Sequence, residues 1–178
     1  AGFLEAEKDN YSDNYLFNDV DLWPKNQNVI NYRHIDDNSI KHKYGTIGSL
    51  GGFLLMKNHT FKKLNGYSNE YWGWGAEDTD LNRRCGIMKV RIDRNNFINR
   101  WGKGTPEQKG IHDDISDTRK KDPDKFKKAH SFLDKKTKLY QKDKKNILSD
   151  GLSNVAYKIV SQKDYKNNPK MKRILVSI

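Results

Sequence analysis

In the run Tyr71-Trp72-Gly73-Trp74-Gly75-Ala76-Glu77-Asp78-Thr79-Asp80, three aromatics, three small residues and three carboxylates share ten positions. Aromatic faces stack on the C–H faces of sugar rings, as on other weakly polar flat groups. Glycine lets a backbone approach a ligand closely. A carboxylate beside a hydroxyl group binds it and takes its proton. The run reads as a place where a polyhydroxylated ligand is held and deprotonated. A second acidic pair, Asp19 and Asp21, flanks Val20. Strand alternation puts both on one side, at the end of an apolar run, where the ligands of open α/β sheets gather. Two carboxylates there suit a hard divalent cation carried by a nucleotide diphosphate, and Mn²⁺ accepts a histidine as well.

These groups need a scaffold, and the pattern of the chain implies one. Residues 1–9 read as a helix with Phe3 and Ala6 on one side. Tyr15-Leu16-Phe17 reads as a buried strand running into Asp19, and Pro24 stops it. Residues 25–45 read as polar and irregular, with His34 and His42 on the surface. Ile47 to Met56 is the next apolar run and is expected as a central strand. His59 to Leu64 reads as a short helix stopped by Asn65-Gly66. Leu81, Cys85 and Met88 recur at near-helical spacing and predict a helix from Glu77 to Gly86, with Cys85 as a packing residue. Glu77 and Asp78 then fall in its first turn, where the helix dipole favours their charged forms. Asp80 is spaced to pair with Arg83 or Arg84. Lys89 to Ile92 reads as a strand, 125–147 as a lysine-rich helix and Arg173 to Ile178 as a last strand. Residues 99–125 read as one long polar loop, and loops of that length are usually mobile or functional.

A chain of 178 residues is enough for one domain with a real core. Its 34% hydrophobic and 32% charged residues predict an economical core under a heavily charged surface. The formal net charge is +11, yet residues 1–40 carry eight acidic and three basic side chains, so the positive excess lies after them. The lysines lack interleaved aromatics, so they read as solvated surface and no specific nucleic-acid partner is expected. No apolar run approaches the roughly 20 residues of a membrane span. Cys85 is the only cysteine, so no intrachain disulfide forms. Together these point to a cytoplasmic setting, with the Golgi lumen as the alternative if a membrane anchor has been removed.

The tryptophan run is similar to the WGWG-E-D-D-D signature of the β-1,4-galactosyltransferases, in their C-terminal galactosyltransferase region. Phe17-Asn18-Asp19-Val20-Asp21-Leu22-Trp23-Pro24 resembles that family's Asp-Val-Asp stretch, and Gly51-Gly52-Phe53-Leu54-Leu55 its Gly-Gly strand. Asn65-Gly66 with Asn69-Glu70-Tyr71 resembles the lead-in to the tryptophans, and Leu148-Ser149-Asp150-Gly151-Leu152 the late Leu-Ser-Asp-Gly-Leu. The segments occur in the family's order. The resemblance implies Asp78 as the general base, Glu77 as a ligand of acceptor hydroxyls and Trp74 as a contact to donor phosphate and acceptor sugar. It implies Asp19 as a hydrogen-bond partner of the nucleotide sugar, Asp21 as a metal ligand, and donor contacts beside Gly51 and Gly52. Phe126, with Lys125, matches an acceptor-binding pair, and Ala129 sits where the N-acetyl pocket has a larger apolar residue. His112 matches the metal-binding histidine of a lid over donor and metal. Lys109 and Gly110 stand where that motif's other ligand would be, so either Asp113 or Asp114 would complete the set or the metal would bind weakly. Ser49 replaces a tyrosine, which leaves room near the donor's 2-position for N-acetylgalactosamine or glucose beside galactose. Thr79 replaces an acceptor-binding carboxylate.

The expected fold is α/β, a GT-A-like glycosyltransferase with a Rossmann-like mixed sheet, lacking the strands that precede the Asp-Val-Asp stretch in the family. A missing N-terminal part or a partner chain would supply them. Residues 1–178 are expected as one catalytic domain with a mobile loop at 99–125. The expected function is inverting transfer of a hexose, galactose first, from a UDP-sugar to a hydroxyl of a glycan acceptor, with Mn²⁺ as cofactor. The alternative is a non-catalytic carbohydrate-binding or scaffolding module of the same fold.

Overall fold

The computed structural model describes residues 1–9, 12–26, 34–72, 75–104, 109–113, 123–165 and 168–177. Its centre is a mixed sheet in the order β1 (Asn14–Asn18), β4 (Phe53–Lys57), β3 (Ser39–Gly45) and β5 (Arg91–Asp93), with β6 (Ile98–Asn99) also beside β3. β4 runs antiparallel to both neighbours, whereas β5 and β6 are parallel to β3. The carboxyl ends of β1 and β3 and the amino end of β4 therefore meet at one edge of the sheet.

Alternation along β4 divides the core in two. Leu54 and Met56 point into a cluster with Ile40, Leu50, Phe61, Leu64, Leu81 and Cys85, roofed by helices α2 (Asn58–Lys63) and α3 (Glu77–Met88). Phe53 and Leu55 point the other way, into a cluster with Leu22, Ile35, Tyr44 and Ile111. Ile40 and Tyr44 lie four residues apart on β3, yet they enter opposite clusters. A register shift between His42 and Tyr44 reverses the alternation. Helix α1 (Gly2–Asp9) buries Phe3 against Tyr15 and Phe61, at centroid distances of 4.8 and 4.7 Å.

Several sequence expectations are met: α1, α2 with Asn65-Gly66 at its end, and α3, which runs two residues further than the spacing implies. Others are corrected. Residues 25–45 contain β3, the most buried strand of the sheet, and His42 is fully buried. Covered on both faces, β3 has no polar-apolar period to find, and its Lys43 is buried with its ammonium on the Asn95 carbonyl, 2.6 Å away. β1 is only half-buried, with Leu16 at 45% exposure. The strand expected over Ile47 to Met56 begins at Phe53, because Thr46 to Gly52 form the turn that carries the chain from β3 to β4. The loop at 99–125 contains β7 (Ile111–Asp113), paired antiparallel with β2 (Leu22–Pro24). The rest of that loop's expected mobility falls on residues 105–108 and 114–122, outside the described residues, with Asp114 among them.

Helix α4 (Pro123–Lys142) begins with proline at its first position, as a helix start favours, and buries Leu133 and Tyr140. The short α5 (Lys145–Leu148) leads to a two-stranded sheet of β8 (Lys158–Tyr165) and β9 (Asn168–Ser177). No described helix is long and apolar enough to cross a membrane.

Candidate active site

A cleft of ≈ 1040 Å³ opens at the edge where β1, β3 and β4 meet. Asp19 enters it from the end of β1, Ser49, Gly51 and Gly52 from the β3–β4 turn, Glu77, Asp78 and Thr79 from the start of α3, and Phe126 from α4. Eight residues singled out from the sequence thus line one cavity, although they span more than a hundred positions. Trp74, with Gly73, lies outside the described residues. Asp21 and His112 are not among the lining residues. β2 starts one residue after Asp21, and the β2–β7 register sets His112 opposite Trp23. Tyr67, Arg100, Trp101 and His130 also line the cleft and were not anticipated. They carry no motif, and only the packing of distant segments brings them there.

The turn of residues 45–52 is built by close backbone contacts. Gly52 has φ +86, and a Cβ on it would stand 2.1 Å from the Tyr44 carbonyl oxygen. Only glycine fits. Asp19 and Gly52 are tied both ways: the Gly52 N–H donates to Asp19 Oδ2 at 3.1 Å, and the Asp19 N–H to the Gly52 carbonyl at 3.3 Å. Burial holds the Asp19 carboxyl above its ordinary value despite that donor, and Asp21 and Asp78 add to the rise.

At the start of α3, Gly75 and Ala76 both have positive φ, 101 and 78, and turn the chain from the tryptophan loop into the helix. Asp78 then sits in the first turn. Its Oδ1 accepts from the Thr79 N–H at 2.6 Å and from the Thr79 hydroxyl at 3.2 Å. Its Oδ2 faces the Gly51 backbone so closely that a Cβ there would lie 3.0 Å away. The Leu50 N–H donates to the Asp78 carbonyl at 3.0 Å, locking the β3–β4 turn to the helix. Thr79 therefore orients Asp78, a role its sequence position did not suggest. Glu77 is held above its ordinary value by burial first and by the charges of Asp78 and Asp19 next, with its own backbone N–H opposing. Three carboxylates crowd one cleft, an arrangement that attracts cations and proton donors.

His42 supports this turn from below. The Arg94 Nε–H donates to His42 Nδ1 at 3.2 Å, and arginine cannot accept, so the ring proton resides on Nε2. That N–H donates to the Gly51 carbonyl at 3.0 Å. Burial lowers the imidazole to about 4, with the Arg94 charge assisting, so it is neutral at physiological pH. A His42→Phe variant keeps a ring beside Phe97, now 4.6 Å from the imidazole, but removes both hydrogen bonds. It is expected to cost about 2 kcal/mol in chemical denaturation. An unchanged midpoint would mean that the His42–Gly51 bond does not hold the turn.

Behind the tryptophan loop lies a buried ionic frame. Arg84, fully buried, donates to Asp80 Oδ2 at 2.7 Å, to the Asp150 carbonyl at 2.9 Å and to the Tyr140 hydroxyl at 3.2 Å. Lys136 bridges Asp150, Ser68 and Glu70, the last at 2.5 Å. The Tyr71 hydroxyl donates to Asp80 Oδ1 at 3.3 Å. Glu70 and Tyr71 on one side of the loop and Asp80 on the other are thus tied to a common frame.

The metal question turns on β2 and β7. Trp23 stacks on the His112 ring at 3.6 Å and 16°, which fixes the imidazole plane. A carboxylate and an imidazole form a donor set suited to Mn²⁺. Lys109 is committed elsewhere: its ammonium donates to the carbonyls of Asn99, Arg100 and Gly102 at 2.8, 3.3 and 3.0 Å. Among the described residues no group of three or more His, Cys, Asp or Glu is gathered to hold a metal.

The family described as the N-terminal domain of galactosyltransferase matches residues 32–106. β-1,4-Galactosyltransferase 4 of Homo sapiens is 31% identical over 168 residues, covering 90% of this chain and 44% of that protein. β-1,4-Galactosyltransferase 1 of Bos taurus is 28% identical over 173 residues, 93% of this chain and 39% of that protein. The chain spans less than half the length of these curated relatives. Its fold is similar to the catalytic domain of Drosophila β-1,4-galactosyltransferase 7 solved with xylobiose, with a TM-score of 0.65 at 23% identity over 98% of this chain and 72% of that one. A mutant of that enzyme, solved with manganese, UDP-Gal and xylobiose, gives a TM-score of 0.58 at 20% identity. A mixed sheet of GT-A type, an ordered set of motifs and sequence identity over nine-tenths of the chain lead to one assignment: this chain belongs to the β-1,4-galactosyltransferase family.

Proposed function

We propose that the chain is the catalytic part of an inverting glycosyltransferase that moves a hexose, galactose first, from a UDP-sugar to a hydroxyl of a glycan acceptor. The observation that carries this reading is the setting of Asp78. One carboxylate oxygen is held by Thr79 and the other faces the Gly51 backbone, in a cleft whose ≈ 1040 Å³ suits a sugar nucleotide with an acceptor sugar. In this reading Asp78 takes the proton of the acceptor hydroxyl. The freed oxygen attacks the anomeric carbon from the side opposite the diphosphate, the bond to the leaving oxygen breaks and the configuration inverts. Glu77 binds neighbouring acceptor hydroxyls, Phe126 offers an apolar face to the acceptor, and Asp19 hydrogen-bonds the donor beside Gly51 and Gly52. Ser49 leaves room at the donor's 2-position, so the bulkier N-acetyl group of N-acetylgalactosamine is accommodated as well.

Asp21 and His112 would hold Mn²⁺, and the family resemblance gives Trp74 as a contact to donor phosphate and acceptor sugar. A metal held there would supply positive charge beside the diphosphate. Asp21→Ala is expected to abolish Mn²⁺-dependent UDP binding in calorimetry; unchanged binding would remove Asp21 as a ligand. The cytoplasm is the proposed place of action, with the Golgi lumen as the alternative. The direct test is incubation with UDP-galactose, N-acetylglucosamine and Mn²⁺. UDP release coupled to a disaccharide product is expected, and a chain that binds neither sugar would sink the reading.

A further inference from the structure

Trp101 is 64% exposed and lines the same cleft as Asp78. It corresponds to none of the motifs described above, and it adds an aromatic face to a cleft that also holds Phe126. The turn that carries it is built with care. The Arg100 N–H donates to the Gly45 carbonyl at 2.8 Å, which hangs the turn from the end of β3. The N–H groups of Trp101 and Gly102 return to Asn99, each at 3.1 Å. Lys109 closes the structure by placing its ammonium on the carbonyls of Asn99, Arg100 and Gly102. An ammonium has three protons, and three charge-assisted bonds to one turn use its full donor capacity. The Arg100 guanidinium lies 6.0 Å from the indole centroid and bears on the charge of Asp19. The backbone that carries the ring is therefore fixed before any ligand arrives, which lowers the entropic cost of using it.

We propose that Trp101 is a stacking platform for a pyranose ring, pre-set by the Lys109-locked turn. The proposal rests on the transferase reading above and deepens it: the position at which the resemblance implies a metal ligand serves here to present an aromatic face. A pyranose offers C–H groups to such a face. The ring belongs either to the donor or to the acceptor, and the two are separable by experiment.

Calorimetry on the full chain, unsubstituted and as Trp101→Ala and Trp101→Phe, would use three probes: UDP, UDP-galactose and N-acetylglucosamine. Trp101→Ala is expected to weaken one of the two sugar-bearing probes by about tenfold while UDP holds within about twofold, with Trp101→Phe closer to the unsubstituted chain. Loss at UDP-galactose assigns the donor sugar, and loss at N-acetylglucosamine the acceptor. Equal weakening of bare UDP, or no change in either sugar, overturns the platform. If the unsubstituted chain binds none of the three, the transferase reading itself fails and the platform falls with it.

Discussion

Asp78→Asn is expected to lower the rate of sugar transfer by about 10³-fold while leaving UDP-sugar affinity unchanged. The substitution is close to isosteric. An amide oxygen in place of Oδ1 still accepts from the Thr79 N–H and hydroxyl, so the side chain stays where it is. What disappears is basicity: the group that replaces Oδ2, above the Gly51 backbone, has no lone pair able to take a hydroxyl proton. The effect is therefore expected on kcat and not on donor binding, because in the proposed mechanism Asp78 meets the acceptor hydroxyl and not UDP. Single-turnover transfer and calorimetry on the same preparation separate the two quantities. Retained turnover would remove Asp78 from the role of base, and lost UDP binding would mean that the change disturbed the cleft as a whole.

Arg84→Met should destabilise the fold by about 3–5 kcal/mol, or on the order of 10 °C in the thermal midpoint. Methionine fills much of the volume but leaves Asp80 and Asp150 buried without their shared cation. It also strands the carbonyls of Leu64, Gly66 and Asp150, which the guanidinium now satisfies. Arg84→Lys should lose less, because charge remains but the planar fork does not. Burial pushes the Asp150 carboxyl up, yet Lys136, Ser68 and Asn69 hold it below its ordinary 3.8. A carboxylate depressed in the folded state stabilises the fold above its unfolded value and surrenders that stability as pH falls through the folded one. The frame therefore stabilises the fold at neutral pH and weakens below about pH 4. A differential melt of Arg84→Met within about 1 °C of the parent would show the frame to be dispensable.

The carboxylates that line the cleft were legible because residue type and local spacing are the signal. Asp78 in the first turn of a helix, Glu77 beside it and Asp19 at a strand end all follow from short-range pattern. The same is true of α2, which ends where Asn65 and Gly66 take positive φ. β3 was not legible. Its Lys41, His42 and Lys43 look like a solvated run, and only a neighbour on each side and a layer on each face make them a central strand. The β2–β7 pair was hidden for a related reason, since each strand has three residues and neither has meaning without the other.

Taken alone, the sequence determined which carboxylates fall on which kind of element and in what order, because helix and strand periods act over a few positions. The tertiary structure decided that His42 carries the Gly51 carbonyl, that Lys109 locks a turn and that Trp101 faces the cleft. Each of these is a contact across a fold in which burial sets whether a histidine is charged and geometry sets what an ammonium can reach. The His42–Gly51 and Lys109–Asn99 bonds join residues nine and ten positions apart, and Trp101 meets Asp78 in the cleft from a different segment; no helix or strand period encodes such contacts.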